Sequence, residues 1–200
     1  MASKPFFGQW RTRAMAGAGG IAAIVASWGM GLFEAKDKPV LANLPVAQSI
    51  AAGEWSLRFE RADLSDRLPD GSALAKSGRK AIVLYLEATN RTARTSGTLP
   101  RAITLATPIP GVDARPTAYL LRDRAALTEL QPALPEEIAL VWTYPAAQPA
   151  APRVRFDVAA STFKPFDNLY AQPLWTDPHP VGAVELPLDT VRPDAPAGES

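Results

Sequence analysis

Arg79-Lys-Ala-Ile-Val-Leu-Tyr-Leu-Glu-Ala-Thr-Asn90 decides how this chain is read. Ile82, Leu84 and Leu86 fall on one side of an extended chain, Val83 and Tyr85 on the other. Side chains alternate across a strand with period two, so apolar residues on both sides predict a central strand covered on both faces. Asn90-Arg91-Thr92 then ends the strand in a turn, because Asn bonds its own backbone and tolerates turn conformations.

Weaker strands follow on either side. Before it, Trp55, Leu57 and Phe59 alternate with Ser56, Arg58 and Glu60, and Asp63 to Asp66 and Leu68 to Gly71 read as a loop. After it, Ile103 and Leu105 suggest a short strand, and Thr117 to Arg122 another. Ala125 to Leu130 fits a strand or one helical turn. Ile138, Leu140, Trp142 and Tyr144 share one face of a clear strand, and Val154, Phe156 and Val158 alternate with charged neighbours. Ser161 to Pro180 shows poor strand periodicity and reads as irregular, and Val181 to Leu188 as a closing strand. About seven or eight short strands with Pro/Gly/Asn/Asp turns and no long amphipathic helix predict an all-β fold, a β-sandwich with a closed barrel as the alternative. Sixteen of the 20 prolines lie at or after Pro100, which further disfavours helices there.

Composition narrows the functions. Residues 54–188, the expected sandwich domain, hold 15 Lys+Arg and 15 Asp+Glu. Such a neutral, interspersed surface argues against nucleic acid, which needs concentrated positive charge. The chain has no cysteine, which excludes disulfides, thiolate metal sites and thiol nucleophiles. No cofactor, catalytic set or metal site is expected. His179 is the only histidine and is read as a surface-loop residue. Asp63, Asp66 and Asp70 share a loop with Arg61 and Arg67, and are read as turn caps rather than calcium ligands.

The N-terminal segment gives an address. Ala14 to Phe33 is a 20-residue run without Asp, Glu, Lys or Arg, preceded by Lys4, Arg11 and Arg13. A helix of that length matches the bilayer core, and the basic flank keeps the N-terminus in the cytoplasm. The expected organisation is a cytoplasmic stretch (1–13), a transmembrane signal anchor (14–33), a linker (34–53) with a helical turn near Val46–Ala52, the domain (54–188) and a disordered tail (189–200). The competing reading is a cleaved signal peptide with Val25-Ala26-Ser27 at the cleavage site. Ala16, Gly20, Ala23, Ser27 and Gly31 share one face of the run, a smooth surface on which another membrane helix could pack. The expected home is the bacterial inner membrane, with the domain in the periplasm.

The order of these segments resembles a known family. A Trp-bearing first strand, then Ala81-Ile-Val-Leu-Tyr-Leu-Glu-Ala-Thr-Asn90-Arg-Thr, then Leu130-Gln-Pro132-Ala-Leu-Pro135 before an apolar strand, is similar to the immunoglobulin-like modules that bacteria display outside the membrane behind an anchor or lipoprotein signal. The resemblance covers about Trp55 to Val158, and implies an immunoglobulin-like sandwich without an assigned activity. Ala133 stands where that family usually has Gly, and there is no lipobox cysteine.

Phe163, Phe166, Tyr170 and Trp175 form the candidate interaction surface. Four aromatics in so short a stretch serve as anchors for a protein partner or as stacking platforms for sugars. The preferred expectation is that they fold back and plug one end of the sandwich. The function expected is interaction or scaffolding in an envelope complex, with glycan or small-ligand binding as the alternative.

Overall fold

A computed structural model describes residues 40–190 of the chain. The proposed anchor, its small-residue face (Ala16, Gly20, Ala23, Ser27, Gly31) and the tail beyond residue 190 lie outside the described residues. Among the described residues no helix is long and apolar enough to cross a membrane.

The fold is all-β. Its strands are β1 (Ser49–Ala52), β2 (Trp55–Ser65), β3 (Arg79–Asn90), β4 (Ile103–Leu105), β5 (Thr117–Leu120), β6 (Ala125–Ala126), β7 (Pro135–Pro145), β8 (Arg153–Asp167) and β9 (Gln172–Thr190). A single α-helical turn, α1 (Leu99–Ala102), precedes β4. The strand order is β4-β8-β9-β2-β3-β7-β5-β6, with β1 paired to the first half of β2. β9 joins the two layers: it runs antiparallel to β8, and its last residues add in parallel to β2, Ala62 opposite Leu188.

β3 lies at the centre of its layer as its pattern predicts, antiparallel to β2 on one side and to β7 on the other. Ile82, Leu84 and Leu86 enter the main core with Leu57, Phe59, Leu140, Phe156, Val158 and Val184. Trp142 of β7 meets Phe156 of β8 at 5.3 Å between ring centroids, a contact between the two layers. Ala81 and Val83 point to the opposite face, where Leu74, Tyr119, Ala139 and Val141 form a second, smaller cluster. The loop between β2 and β3 supplies Leu68 and Leu74 to that cluster, so β3 is covered on both sides.

Several boundaries differ from expectation. β2 continues through Asp63 to Ser65, where a loop was expected. A bulge after Phe59 brings Ala62 to the core and turns Asp63 to the opposite face, where it is still only 3% exposed, beside the Arg61 guanidinium, which lies 3.7 Å above the Tyr85 ring. Burial is the main reason the Tyr85 hydroxyl is pushed above its ordinary pKa, with Asp63 adding to it. The segment expected as a linker belongs in part to the domain. Residues 49–52 form β1, not a helical turn, because Ser49 to Ala52 pair with Arg58 to Trp55. Upstream, Leu44 N–H donates to the Ala183 carbonyl at 2.8 Å, and Arg155 donates to Asn43 and to the Leu41 carbonyl. With β1 and the two-residue β6 the sheets count nine strands rather than seven or eight.

The largest difference is Ser161–Pro180. This stretch is not irregular; it is the far end of one long β8–β9 hairpin. Register shifts after Val158, Ala160 and Lys164 break the strict alternation that sequence periodicity relies on. Ala171 and Asp177 take left-handed backbone angles there, φ 51° and 54°.

Candidate functional site

Beyond Val158 and Gly182 the β8–β9 hairpin becomes an arm. Its turn is closed by Asp167, whose carboxylate accepts the Leu169 and Tyr170 N–H groups at 2.9 and 3.2 Å. The Asp167 carbonyl accepts Ala171 N–H at 2.8 Å. With its oxygens used inside the turn, Asp167 fixes the loop that presents the neighbouring apolar side chains.

Those side chains are exposed. Phe163 is 48%, Phe166 62%, Leu169 80% and Tyr170 60% exposed. The expected plug is therefore not formed. Trp175 is half-buried and stacks at 5.2 Å on Phe163, its cross-strand partner. Such a cross-strand aromatic pair stabilises a hairpin by less than about 1.5 kcal/mol beyond its area burial. The four aromatics thus separate: Phe166 and Tyr170 at the tip, Phe163 and Trp175 along the shaft.

A groove runs between the arm and the body of the sandwich. Its volume is about 720 Å³, and its floor includes Ala52 and Trp55. Pro173, Trp175 and Pro178 wall it from the arm, and Arg101 and Arg115 from the body. The arm's root is clamped at this point: an added Cβ on Gly53 (φ 63°) would lie 2.5 Å from the Ser161 carbonyl oxygen. The loop carrying Arg115 is held by Trp142, whose indole N–H donates to the Ala114 carbonyl at 3.4 Å.

Asn90 ties the same end of the sandwich. It is fully buried, donates to the Arg94 and Leu130 carbonyls at 2.7 and 3.0 Å, and accepts from the Thr92 N–H at 2.9 Å and hydroxyl at 2.8 Å. The turn residue read from the sequence is in fact the joint of two loops, the one after β3 and the one before β7. Ala133, where the resemblance expects Gly, has φ 58° and donates its N–H to the Asn90 carbonyl at 2.7 Å. The left-handed angle explains why Gly suits this position.

The buried Glu54 carboxylate accepts hydrogen bonds from the Ser96 hydroxyl at 3.1 Å and from the Thr98 hydroxyl. Sequence reading missed Glu54, and its position before Trp55 carries no motif. Two buried side-chain polar atoms lack a partner among the described residues: Trp55 Nε1 and the Tyr144 hydroxyl. Tyr144 lines a separate cavity of about 220 Å³, and burial pushes its hydroxyl above the ordinary pKa. Trp55 is opposite Asn90, and Tyr144 is opposite Lys80, so the two lie at opposite ends of β3.

His179 sits exposed on the arm with Nδ1 3.0 Å from the Asp177 carbonyl. Asp70 caps its own turn by accepting the Ser72 N–H at 2.8 Å, which holds its pKa below the ordinary value. Among the described residues no group of three or more His, Cys, Asp or Glu could hold a metal ion.

No family model matches the chain, and no curated protein matches it. Among solved structures it is similar to an uncharacterised β-sandwich protein of Clostridium difficile 630, at 10% identity and a TM-score of 0.43 over 70% of this chain and 96% of that one. It is also similar to a candidate lipoprotein of Bacillus subtilis strain 168, at 6% identity and a TM-score of 0.38 over 72% of this chain and 39% of that one. The functional reading rests on this chain's own surfaces.

Proposed function

We propose that this chain is a single-pass protein of a bacterial inner membrane whose exported β-domain docks a protein partner through the tip of the β8–β9 arm. Its role is assembly within an envelope complex, not catalysis. The observation that carries the reading is the tip itself: Phe166, Leu169 and Tyr170 stand at least 60% exposed on a turn fixed by Asp167. Large apolar side chains grouped in this way mark interaction sites, and a rigid turn lowers the entropy lost on docking. The membrane address is supported by the uncharged Ala14–Phe33 run behind a basic N-terminus. The immunoglobulin-like character is supported by the resemblance around Asn90 and by Ala133, whose backbone takes the angle that family's Gly would take.

Full-length protein purified in a mild detergent should hold a stoichiometric partner, and F166S/Y170S should release it. A lone monomer, or a partner that stays with the tip variant, would overturn the proposal. Gly20→Leu with Ser27→Leu tests the anchor separately: insertion should persist, and weakened assembly would give the small-residue face a share in partner binding.

A further inference from the structure

We propose that the groove between the arm and the sandwich binds an acidic glycan, a sugar chain bearing carboxylates. Arg101, from α1, and Arg115, from the loop before β5, both line the groove and are exposed. Neither has an ion-pair partner among the described residues. The one acid among the lining residues is Glu54, whose oxygens are engaged by Ser96 and Thr98. Two guanidinium groups therefore face the opening against a single inward carboxylate, and a guanidinium grips a carboxylate through paired N–H bonds.

A second, independent observation lies at the floor. Trp55 is 1% exposed, lines the groove, and its indole N–H has no acceptor among the described residues. A buried donor without an acceptor is costly unless a ligand or water completes it. Guanidinium donors from two separate segments, beside a floor residue whose indole N–H is unpaired, call for a ligand rich in acceptors.

The remaining lining selects a sugar over a peptide. Thr104, Ser161 and Thr176 border the groove with hydroxyls, which both donate and accept as sugar hydroxyls do. Trp175 offers an indole wall for a sugar ring to stack on. A protein partner would be held by large apolar anchors, and the exposed ones, Phe166, Leu169 and Tyr170, do not line this groove. Its volume of about 720 Å³ admits more than a single ion. The site is also held in shape before binding, by the Gly53–Ser161 clamp on one wall and the Trp142–Ala114 bond on the other.

The test uses full-length protein in detergent micelles, titrated calorimetrically with tetragalacturonate, neutral galactotetraose and tetraglutamate at matched ionic strength. Tetragalacturonate should bind, weaken as salt is added, and exceed the neutral sugar by about tenfold or more. R101Q/R115Q should lower that affinity about tenfold, with the melting temperature unchanged because both side chains are exposed. Trp175→Ala should weaken the acidic and neutral sugars alike. No heat from tetragalacturonate up to about 10 mM would overturn the proposal. So would equal binding of the neutral sugar, tighter binding of tetraglutamate, or indifference to R101Q/R115Q. Tip variant F166S/Y170S should leave these titrations unchanged, so the glycan site and the partner-docking tip stand or fall separately.

Discussion

The β8–β9 hairpin is one pair of strands with two different halves. In the inner half, Arg153 to Val158 face Pro187 to Gly182 residue for residue. Phe156, Val158, Val184 and Leu186 are buried there, none more than 3% exposed. In the outer half the register slips three times, and the large apolar residues stand in the open. The backbone ladder is common to both halves; the opposing layer is not. Pairing alone can build a hairpin, but only the second layer gives its apolar side chains somewhere to go. Under the proposed function, the surface left uncovered in this way is what a partner would cover.

Phe156→Ala should break the inner half with the largest effect. It removes a fully buried ring in contact with Trp142 and leaves a cavity between the layers. Ring-to-Ala truncations of this kind cost about 3–5 kcal/mol, so chemical denaturation should show a lower midpoint at similar slope. A loss below about 1 kcal/mol would mean that the layers are not coupled through this contact.

Asn90→Ala comes next and asks whether the end from which the arm springs is held by polar rather than apolar contacts. The change takes the amide donor from the Leu130 and Arg94 carbonyls, which keep the Ser96 N–H and the Thr92 hydroxyl, and leaves the Thr92 N–H without its side-chain acceptor. The lost bonds and the unpaired Thr92 N–H together cost about 1–3 kcal/mol, and Asn90→Asp should not rescue, since a carboxylate cannot donate to the two carbonyls it would face. Hydrogen exchange should quicken in the loops around Thr92 and Leu130 before it quickens in β3.

The inner half was legible in the sequence and the outer half was not, for one physical reason. Val154, Phe156 and Val158 alternate because a covered sheet face selects apolar residues at every second position. Phe163, Phe166 and Trp175 lie on strands whose register slips, and Tyr170 in the turn between them, so no period survives to be read. The central position of β3 was plain from Ile82 to Leu86 because both of its faces are covered. β1 was hidden: Ser49-Ile-Ala-Ala52 carries no alternation and pairs only along the edge of β2. The aromatics stand out as a group in the sequence, but their exposure depends on where the second layer stops, which no local pattern records. Arg101, Arg115 and Trp55 are far apart in the chain and meet only in the folded body, where the arm supplies the facing wall of the groove.

Gly53→Ala probes the joint between the two halves. The added methyl meets the Ser161 carbonyl oxygen at 2.5 Å and its nitrogen at 2.7 Å, on a backbone at φ 63°. The backbone preference alone costs about 1 kcal/mol, and the clash adds to it unless the arm swings away. The expected result is a stability loss of about 2 kcal/mol with altered amide signals along Ser161 to Trp175. Unchanged signals there would show that the arm is not seated on the β1–β2 turn.

F166S/Y170S should have the smallest effect on stability, and that small size is what the comparison requires. The two side chains are 62% and 60% exposed, and the turn beneath them is held by Asp167 through backbone groups that the substitutions leave in place. Exposed positions of this kind change stability by within about 0.5 kcal/mol, and replacing apolar surface by hydroxyls relieves unfavourable hydration. Partner binding should collapse while the unfolding curve stays put. A drop of about 2 kcal/mol or more would mean that the tip belongs to the core after all, and that its aromatics answer to folding rather than to a partner.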